Sequence, residues 1–286
     1  MRWPPCAKPR RARWQPEVEA LRDDTFRDIT ALMHATIGLS FAESKKALVS
    51  SRLAPRIQRI GLGSFEDYLA LISGEQDDGE FQAAVDLLTT NETYFFREPA
   101  HYDLLEREMA ALKPRSLAVW SAAASFGDEA YSTAMLLSDM QQQGRIGSDW
   151  SILGTDISDR VLRSASAAVY PQERLRNVSA PRLKRYCLRG EGESVGFVQM
   201  QPQLRERVRF GQVNLCEGLD ALGMFDVVFL RNVLIYFDLA TKHAVVDRVL
   251  ARLRPGGLFF IGTAEGRVRC DTPLEFIAPG AFRKAA

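Results

Sequence analysis

The chain has 286 residues, 46% hydrophobic and 26% charged, which suits a globular protein of one large domain or, as we predict, two modest ones. Lysine plus arginine (37) nearly equals aspartate plus glutamate (36), so overall charge favours neither nucleic acid nor anionic lipid as a partner. Scattered cysteines, histidines without metal-spaced partners and the lack of a long apolar run argue against zinc, disulfides and a membrane-spanning helix. We therefore expect a cytoplasmic monomer without a metal centre.

The first predicted segment, residues 1–20, is a basic leader. Its first sixteen positions hold five basic residues and no acidic one, and they lack the apolar centre of a secretory signal. We expect a disordered tail, and a true start further along the chain is the open alternative.

Residues 21–88 predict a small all-helical domain, because apolar residues recur there at steps of three and four. Ser40 and Glu43 match a capping box that would open the second helix, and Ser64 with Asp67 would cap the third. A first helix precedes these two, and a fourth follows them.

The second predicted helix carries Arg52, Arg56 and Arg59 at positions i, i+4 and i+7, so their side chains share one face. An acidic helical partner would suit this face, and we predict these three arginines as substrate-binding residues. A solvated basic face without a partner is an equally open interpretation.

A predicted linker, residues 89–115, contains the unusual string TNETYFFREP. Asn91, Thr93 and Arg97 offer an amide, a hydroxyl and a guanidinium, while the aromatic residues 94–96 supply apolar walls for a small-molecule pocket. On this string alone, a linker whose aromatics pack between two domains is as well supported as a ligand site.

After Pro114 the pattern changes to short apolar strands that alternate with helices, which predicts a doubly wound α/β domain over residues 116–286. The predicted strands are 116–121, 151–156, 208–213, 225–230 and 257–262. The predicted helices are 129–140, 159–168 and 239–253. About forty extra residues follow the second strand, and a turn with an alternating segment near 189–203 predicts a small inserted β subdomain.

Ligands of such sheets bind beyond the carboxyl ends of the strands. Small residues at 122–127, including Ala123, follow the first strand and let a backbone approach a ligand closely. This stretch lacks the G-x-G-x-x-G pattern, which favours a cofactor without phosphate over a dinucleotide. Asp156 ends the second strand, where a carboxylate can accept hydrogen bonds from ribose hydroxyls. Glu129 is either a ligand residue or a first-turn acid favoured by the helix dipole.

Further candidate ligand-binding residues follow the third and fourth predicted strands. Asn214 and Leu215 offer an amide and an apolar face suited to adenine, unless the asparagine is an ordinary loop residue. Arg231 and Asn232 end the fourth strand within the string FDVVFLRNVLIYFD, which continues into aromatic residues. Two strings of polar and aromatic residues thus frame one predicted sheet.

These two strings, with WSAAASFGDEAYSTAM (120–135), GTDIS (154–158) and RPGGLFFIGTAE (254–265), resemble the chemotaxis receptor methyltransferases of the CheR type, from about Thr25 to the C-terminus. The resemblance implies a helical domain followed by a Rossmann-like domain that binds S-adenosylmethionine. It also implies methyl transfer to glutamate side chains of chemoreceptors, which yields glutamyl methyl esters and S-adenosylhomocysteine. In some members, a β insert docks a peptide at the receptor's C-terminal tail.

The resemblance further implies site residues. The positions that match the family's cofactor pocket are Asn91, Thr93, Arg97, Glu129, Asp156, Asn214, Leu215, Arg231 and Asn232. We predict Arg97 and Tyr236 as the catalytic pair that orients the acceptor, Arg97 by binding its carboxylate and Tyr236 by donating a hydrogen bond. A glutamate with a pKa of about 4.3 is already ionised at neutral pH, so no general base is required.

The chain departs from the family pattern in two of these motifs. Phe126 and Asp128 lie in Ser-Phe-Gly-Asp-Glu-Ala-Tyr, where the family usually has Ser-Thr-Gly-Glu-Glu-Pro-Tyr, and Thr263 replaces a common histidine. The Phe126 ring would either narrow the cofactor pocket or stack outward. Two other functions stay open: a binding module without turnover, and a methyltransferase for another acceptor such as nucleic acid, which the near-neutral charge disfavours.

Overall fold

The computed structural model describes residues 18–74, 79–266 and 268–285. Residues 1–17 of the predicted leader therefore lie outside the described part of the chain. Within the described part, no helix is both long and apolar enough to cross a bilayer. Within the described residues, the chain divides into two compact units: residues 18–31 with 42–74 and 79–88, and residues 32–41 with 89–266 and 268–285.

Helices dominate the first unit. The first four helices of the described chain are α1 (Asp23–Ile37), α2 (Lys46–Ile60), α3 (Phe65–Ile72) and α4 (Glu80–Leu88). Val49, Leu53 and Ile57 of α2 are fully buried, as their three- and four-residue spacing predicts.

One of the two predicted helix caps is confirmed. The Ser64 hydroxyl oxygen accepts the backbone N–H of Asp67 at 3.1 Å and so caps α3. The predicted capping box at Ser40 is wrong, because α2 is preceded by a 3₁₀ turn whose N-cap residue is Ala42. The backbone N–H of Ser40 instead donates to the Tyr236 carbonyl at 2.9 Å, which holds Ser40 within the second unit.

Strands and helices alternate along the second unit. The strands of the described chain are β1 (Ser116–Ser121), β2 (Asp149–Asp156), β3 (Val169–Pro171), β4 (Cys187–Arg189), β5 (Phe197–Met200), β6 (Val208–Gln212), β7 (Phe225–Leu230), β8 (Leu253–Ile261), β9 (Leu274–Ala278) and β10 (Ala281–Lys284). The helices after α4 are α5 (Pro99–Leu112), α6 (Asp128–Gln142), α7 (Asp159–Ala167), α8 (Ala180–Tyr186), α9 (Pro202–Arg205) and α10 (Leu239–Ala251).

The main sheet has the strand order β6-β2-β1-β7-β8-β10-β9. The first five of these strands run parallel, and Val119 of β1 pairs with Ile152 of β2 on one side and with Val227 of β7 on the other. The strand order therefore reverses at β1, and the carboxyl ends of β1, β2 and β7 meet at the edge where doubly wound sheets bind ligands. The predicted fold class is confirmed.

The small β subdomain is also confirmed, as a separate sheet in the order β3-β5-β4. Of its strands, only β5 lies within the predicted segment.

The sequence patterns miss two other parts of the unit. Helix α5 occupies much of the predicted linker, and β9 with β10 adds an antiparallel hairpin next to β8.

Buried aromatic residues hold the ends of the parallel strands. Phe229 of β7 stacks on Phe260 of β8 with 4.8 Å between ring centroids, and both side chains are fully buried. Trp120 of β1 is fully buried too, and its indole N–H donates to the Thr155 hydroxyl of β2 at 2.9 Å. Packing and hydrogen bonds thus fix the strand ends that carry the candidate site.

Candidate functional site

A cleft opens at the carboxyl ends of the parallel strands. It has two connected parts, one with about 700 Å³ of open space and one with about 490 Å³. We call the larger the Arg97 part and the smaller the Leu215 part. The residues that line both are Leu39, Thr89, Ala123, Asp156, Ile157, Val233 and Tyr236.

The structure brings the predicted cofactor-binding residues together at this cleft. The Arg97 part is lined by Asn91, Thr93, Arg97, Ala123, Glu129, Asp156, Arg231 and Asn232. The Leu215 part is lined by Ala123, Asp156, Asn214 and Leu215. Tyr236, predicted as catalytic, lines both parts. Their convergence is a geometric finding, while their contacts with a ligand stay predictions.

Small residues after β1 form one wall of the cleft. The backbone N–H groups of Ala122 and Ala124 donate to carbonyls of β7 and β2, each at 2.8 Å, so this loop is bound to both neighbouring strands. Gly127 ends the loop with φ at 85°, and a Cβ atom there would lie 3.0 Å from the Phe210 ring. Both the backbone conformation and the close approach therefore require glycine at position 127.

Asp156 ties the same loop to the end of β2. One carboxylate oxygen accepts the backbone N–H of Ser125 at 2.9 Å, and the other accepts the N–H of Ser158 at 3.0 Å. Ser125 has φ at 49°, a left-handed conformation that a non-glycine residue keeps only where its surroundings hold it. Each carboxylate oxygen has a further lone pair, so Asp156 can also accept hydrogen bonds from a ligand in the cleft.

A buried charge network borders the Arg97 part. The Arg231 guanidinium pairs with Glu129 at 2.9 Å and Glu98 at 3.2 Å, and it donates to the backbone carbonyl of Arg97. Burial raises the pKa of Glu129, against the opposing effect of Arg231. Burial acts to lower the pKa of Arg231, yet the carboxylates beside it leave that pKa raised. Because the Arg231 guanidinium already binds two carboxylates and a backbone carbonyl, these contacts favour a role in positioning Arg97 over direct contact with a cofactor.

Arg97 itself faces the cleft. One of its guanidinium nitrogens donates to the Glu92 carbonyl at 2.9 Å, and its guanidinium carbon lies 5.8 Å from the centroid of the Tyr94 ring. No carboxylate of the described residues forms an ion pair with Arg97. Its neighbours Phe96 (φ 55°) and Glu98 (φ 58°) both have left-handed backbones. Arg97 is thus held between two strained residues and keeps N–H donors for an anionic ligand.

Tyr236 connects the cleft to a segment that the sequence analysis missed. Its hydroxyl lies 3.5 Å from the Thr90 carbonyl, and its own carbonyl accepts the N–H of Ser40. Ile37 and Leu39, just before Ser40, line the Leu215 part with apolar side chains. The residues between α1 and α2 are far from the strand ends in sequence, so no local pattern could assign them to the cleft.

Glu265 organises the loop after β7. Its carboxylate accepts backbone N–H groups of Asn232 at 2.9 Å, Leu234 at 2.8 Å and Gly262 at 2.6 Å. Burial raises the pKa of Glu265, against the opposing effect of these N–H groups. Asn232 has φ at 59°, a left-handed conformation that asparagine adopts more readily than most residues. The only sequence signal for this role is the position of Glu265 just beyond the last parallel strand.

The amide of Asn214 is already engaged inside the protein. Its nitrogen donates to the Thr36 carbonyl at 2.7 Å and to Glu217 at 2.8 Å, and its oxygen accepts the N–H of Cys216 at 3.0 Å. Asn214 therefore holds the last turn of α1 against the loop after β6. The buried Leu215 beside it supplies the apolar wall expected for adenine.

Comparison with known proteins identifies the family. The family model described as "CheR methyltransferase, SAM binding domain" matches residues 91–278, and "CheR methyltransferase, all-alpha domain" matches residues 24–89. The chain belongs to the CheR methyltransferase family. The resemblance, the fold class and S-adenosylmethionine as the cofactor are thereby confirmed.

Relatives named as chemotaxis methyltransferases are similar over nearly the whole chain. The "Chemotaxis protein methyltransferase" of Escherichia coli K12 is 38% identical over 262 residues, 91% of each chain. The "Chemotaxis protein methyltransferase 2" of Pseudomonas aeruginosa is 40% identical over 274 residues, 94% of this chain and 95% of its own. The enzyme of that kind from Klebsiella aerogenes is 41% identical over 246 residues, 86% and 84% of the two chains.

The departures from the CheR pattern lie outside the cleft. The Phe126 ring packs 4.7 Å from the guanidinium carbon of Arg174 and 5.7 Å from that of Arg160, and it is not among the lining residues. Of the two expectations for this ring, outward stacking is correct. Asp128 is fully buried and pairs with Arg174 at 2.9 Å, while the backbone N–H of Thr263 lies 3.3 Å from the Glu98 carboxylate. These three residues of the CheR fold leave the cleft open.

The three arginines predicted to bind substrate differ in their surroundings. They lie on α2 of the all-alpha domain, as predicted. Arg56 Nε donates to the buried carboxylate of Glu80 at 2.8 Å, and Arg52 donates to the Leu88 carbonyl at 2.7 Å. Arg59 is exposed. Two of the three guanidiniums thus serve the packing of this domain, and a role of the three in substrate binding stays a prediction.

One histidine has two acidic neighbours: Asp247 lies four residues further along α10, and the fold brings Asp271 close. In the described chain, ligand atoms of His243, Asp247 and Asp271 lie within 4.8 Å of one another. The expectation that no histidine has metal-spaced partners is wrong in this respect. All three residues lie outside the lining of the cleft, and exposed acidic groups commonly gather without an ion.

Proposed function

We propose that this CheR-family protein transfers the methyl group of S-adenosylmethionine to glutamate side chains of chemoreceptors, which gives glutamyl methyl esters and S-adenosylhomocysteine. One observation carries the proposal. Arg97, without a carboxylate partner among the described residues, lines the same cleft as Asp156 and the small-residue loop after β1. A guanidinium that can bind an anion therefore adjoins the strand ends at which doubly wound sheets bind nucleosides.

The residues of the cleft suit the cofactor. Asp156 has lone pairs for the ribose hydroxyls, and Leu215 with Ile37 and Leu39 offers apolar surface for the adenine. The short side chain of Ala123 permits close approach of the backbone. When bound, the cofactor supplies an electrophilic methyl group on a positively charged sulfur.

Methyl transfer to a carboxylate requires the protein mainly to position the acceptor side chain. A glutamate side chain with a pKa of about 4.3 is an anion at neutral pH, so the site needs no general base. Arg97 can bind one edge of that carboxylate and leave the other oxygen free to react, while Tyr236 can donate a hydrogen bond to it. Orientation of the acceptor by these two groups would account for most of the rate enhancement.

Two other functions compete with this one. The Phe126 and Thr263 departures keep open a binding module without turnover, and the outward packing of the Phe126 ring weakens that interpretation. A methyltransferase for nucleic acid is disfavoured by the formal net charge of +1. Docking of a receptor tail peptide on the β subdomain, a monomeric state and a cytoplasmic location stay predictions.

Methyl labelling would separate these functions. Calorimetry with S-adenosylmethionine and S-adenosylhomocysteine tests for the cofactor site, and transfer of labelled methyl to a soluble chemoreceptor cytoplasmic fragment tests for turnover. We expect the label to be released as methanol at alkaline pH, because a methyl ester is base-labile. Binding without transfer would identify a binding module, and a base-stable label would identify a different acceptor atom.

A further inference from the structure

A second groove adjoins the Arg97 part of the cleft. It is lined by Glu92, Thr93, Tyr94, Arg97, Glu173, Arg174 and Arg176. The first four of these residues also line the cleft, so the groove and the cleft are continuous. A protein substrate that delivers a side chain to Arg97 would therefore extend over this groove.

Two guanidiniums lie near one tyrosine ring in the groove. The guanidinium carbon of Arg97 lies 5.8 Å from the Tyr94 ring centroid and that of Arg176 lies 6.0 Å from it, so the two carbons are at most about 12 Å apart. The Tyr94 side chain is 36% exposed, and Arg176 is exposed. An aromatic face restrains a guanidinium while leaving its N–H groups available.

Arg176 has no carboxylate partner within the described chain, whereas its neighbour Arg174 pairs with the buried Asp128. Glu92 and Glu173 also line the groove, but neither forms an ion pair with Arg97 or Arg176 in the described chain. Positive charge without a carboxylate partner is thus concentrated around the Tyr94 ring in this groove. Such a patch suits a negatively charged group of a partner.

We propose that Tyr94 and Arg176 form an anion subsite for the protein substrate, which rests on the proposed function. The subsite takes a second carboxylate of the substrate, one or two helical turns from the glutamate that Arg97 binds. In an α-helix, positions four and seven residues apart are separated by about 6 and about 10.5 Å along the axis, and both separations lie below the upper limit on the distance between the two guanidinium carbons. Arg176 is then a specificity residue that selects acceptor glutamates with acidic neighbours.

The test compares two charge reversals with the same change in net charge. Arg176→Glu alters the subsite, and Arg115→Glu alters an exposed arginine at the amino end of β1, away from the cleft. With a soluble chemoreceptor cytoplasmic fragment as substrate, we expect Arg176→Glu to lower kcat/KM at least about tenfold. Cofactor affinity in both variants, and kcat/KM in Arg115→Glu, should stay within about twofold of wild type, as expected for exposed residues outside the cofactor cleft.

Charge-swapped substrates make the test specific. In a series of fragments, acidic residues three, four or seven positions from the methylated glutamate are replaced by lysine. At one of these positions, lysine should lower kcat/KM for the wild type and raise it for Arg176→Glu. A series in which no position behaves this way overturns the subsite, as does an equal loss in Arg176→Glu and Arg115→Glu.

The experiments distinguish a failure of the proposed methyltransferase function from a failure of the subsite alone. A wild-type protein that binds the cofactor and transfers no methyl to any fragment refutes the function, and the subsite with it. An active wild type with unaltered Arg176→Glu kinetics refutes the subsite alone. Loss of cofactor affinity in Arg176→Glu would also contradict the proposal, because Arg176 lies outside the lining of the cleft.

Discussion

Arg231 donates a hydrogen bond to the backbone carbonyl of Arg97, although the two residues are separated by 134 positions in sequence. The contact joins the loop after β7 to the strained turn that precedes α5. Glu129 and Glu98 hold Arg231 in place from two sides. The direction of the Arg97 side chain therefore depends on a buried charge network that lies beside the cleft.

Removing the buried cation should destabilise the protein strongly. Arg231→Met leaves Glu98 and Glu129 without their partner, and loss of one member of a buried ion pair commonly costs about 3–5 kcal/mol. Urea unfolding followed by circular dichroism measures the change. Arg209→Met, at an exposed position on β6, is the control and should change the unfolding free energy by less than about 0.5 kcal/mol. Equal stabilities of the two variants would contradict the network.

Arg97→Ala tests the proposed orienting residue. The side chain is half-buried and makes no ion pair among the described residues, so its loss should leave the unfolding free energy within about 1 kcal/mol of wild type. Methyl transfer to a chemoreceptor fragment should fall about 100-fold or more, a loss typical of removing one charge-orienting donor. Cofactor affinity, measured by calorimetry, should fall much less than kcat. Near-normal turnover would remove Arg97 from the mechanism.

Much of the parallel sheet is predictable from local patterns. The predicted bounds of β1 and β7 match the structure, because each strand is an apolar run between polar residues. Asp238, whose carboxylate accepts the N–H of Thr241 at 2.8 Å, caps α10 in the way that its residue type favours. The convergence of site residues at strand ends follows from the topology of doubly wound sheets.

Other parts depend on more than these local patterns. Helix α5 starts with Pro99, a favoured first residue, but its N-cap residue Glu98 has a left-handed backbone and makes no side-chain capping hydrogen bond. Strand β9 carries Phe276 with 65% of its surface exposed, so it lacks the regular alternation of a half-buried strand. Leu39 reaches the cleft only because Asn214 and Tyr236 bind the chain around it.

Asp156→Asn tests the ribose assignment. An amide in place of the carboxylate would turn an NH₂ group towards one of the backbone N–H groups of Ser125 and Ser158, and it would weaken hydrogen bonds to a ligand. Loss of a hydrogen bond to a charged group commonly costs about 1.5–3 kcal/mol, so cofactor affinity should fall about 10- to 100-fold. Asp159→Asn, at a half-buried position on α7 that pairs with Arg163, is the control and should bind normally. Unchanged affinity in Asp156→Asn would contradict the assignment.

Phe126→Leu tests whether the departure from the CheR pattern matters for the cofactor. Because the ring packs against Arg174 and Arg160 outside the cleft, cofactor affinity should change by less than about threefold. Stability should fall modestly, since the cation–π contacts are worth about 0.5–1 kcal/mol at partly exposed sites. A marked gain in affinity would mean that the ring obstructs the cleft.

The buried Asp128 should give the protein a distinct pH dependence. Burial raises the pKa of this carboxyl to about 6, against the opposing effect of Arg174, from an ordinary value of 3.8. Between these two values the unfolded chain is ionised at this position while the folded chain keeps its proton, so the Asp128 contribution to stability is complete below pH 4 and is lost as the pH rises through 6. The pKa difference corresponds to about 3 kcal/mol.

Urea unfolding of wild type and Asp128→Asn at intervals from pH 4 to pH 7 isolates the Asp128 contribution to stability, because the other titrating groups are common to both proteins. The stability of wild type relative to the variant should fall by that amount across the range. A relative stability that rises with pH would show that the ion pair with Arg174 outweighs burial.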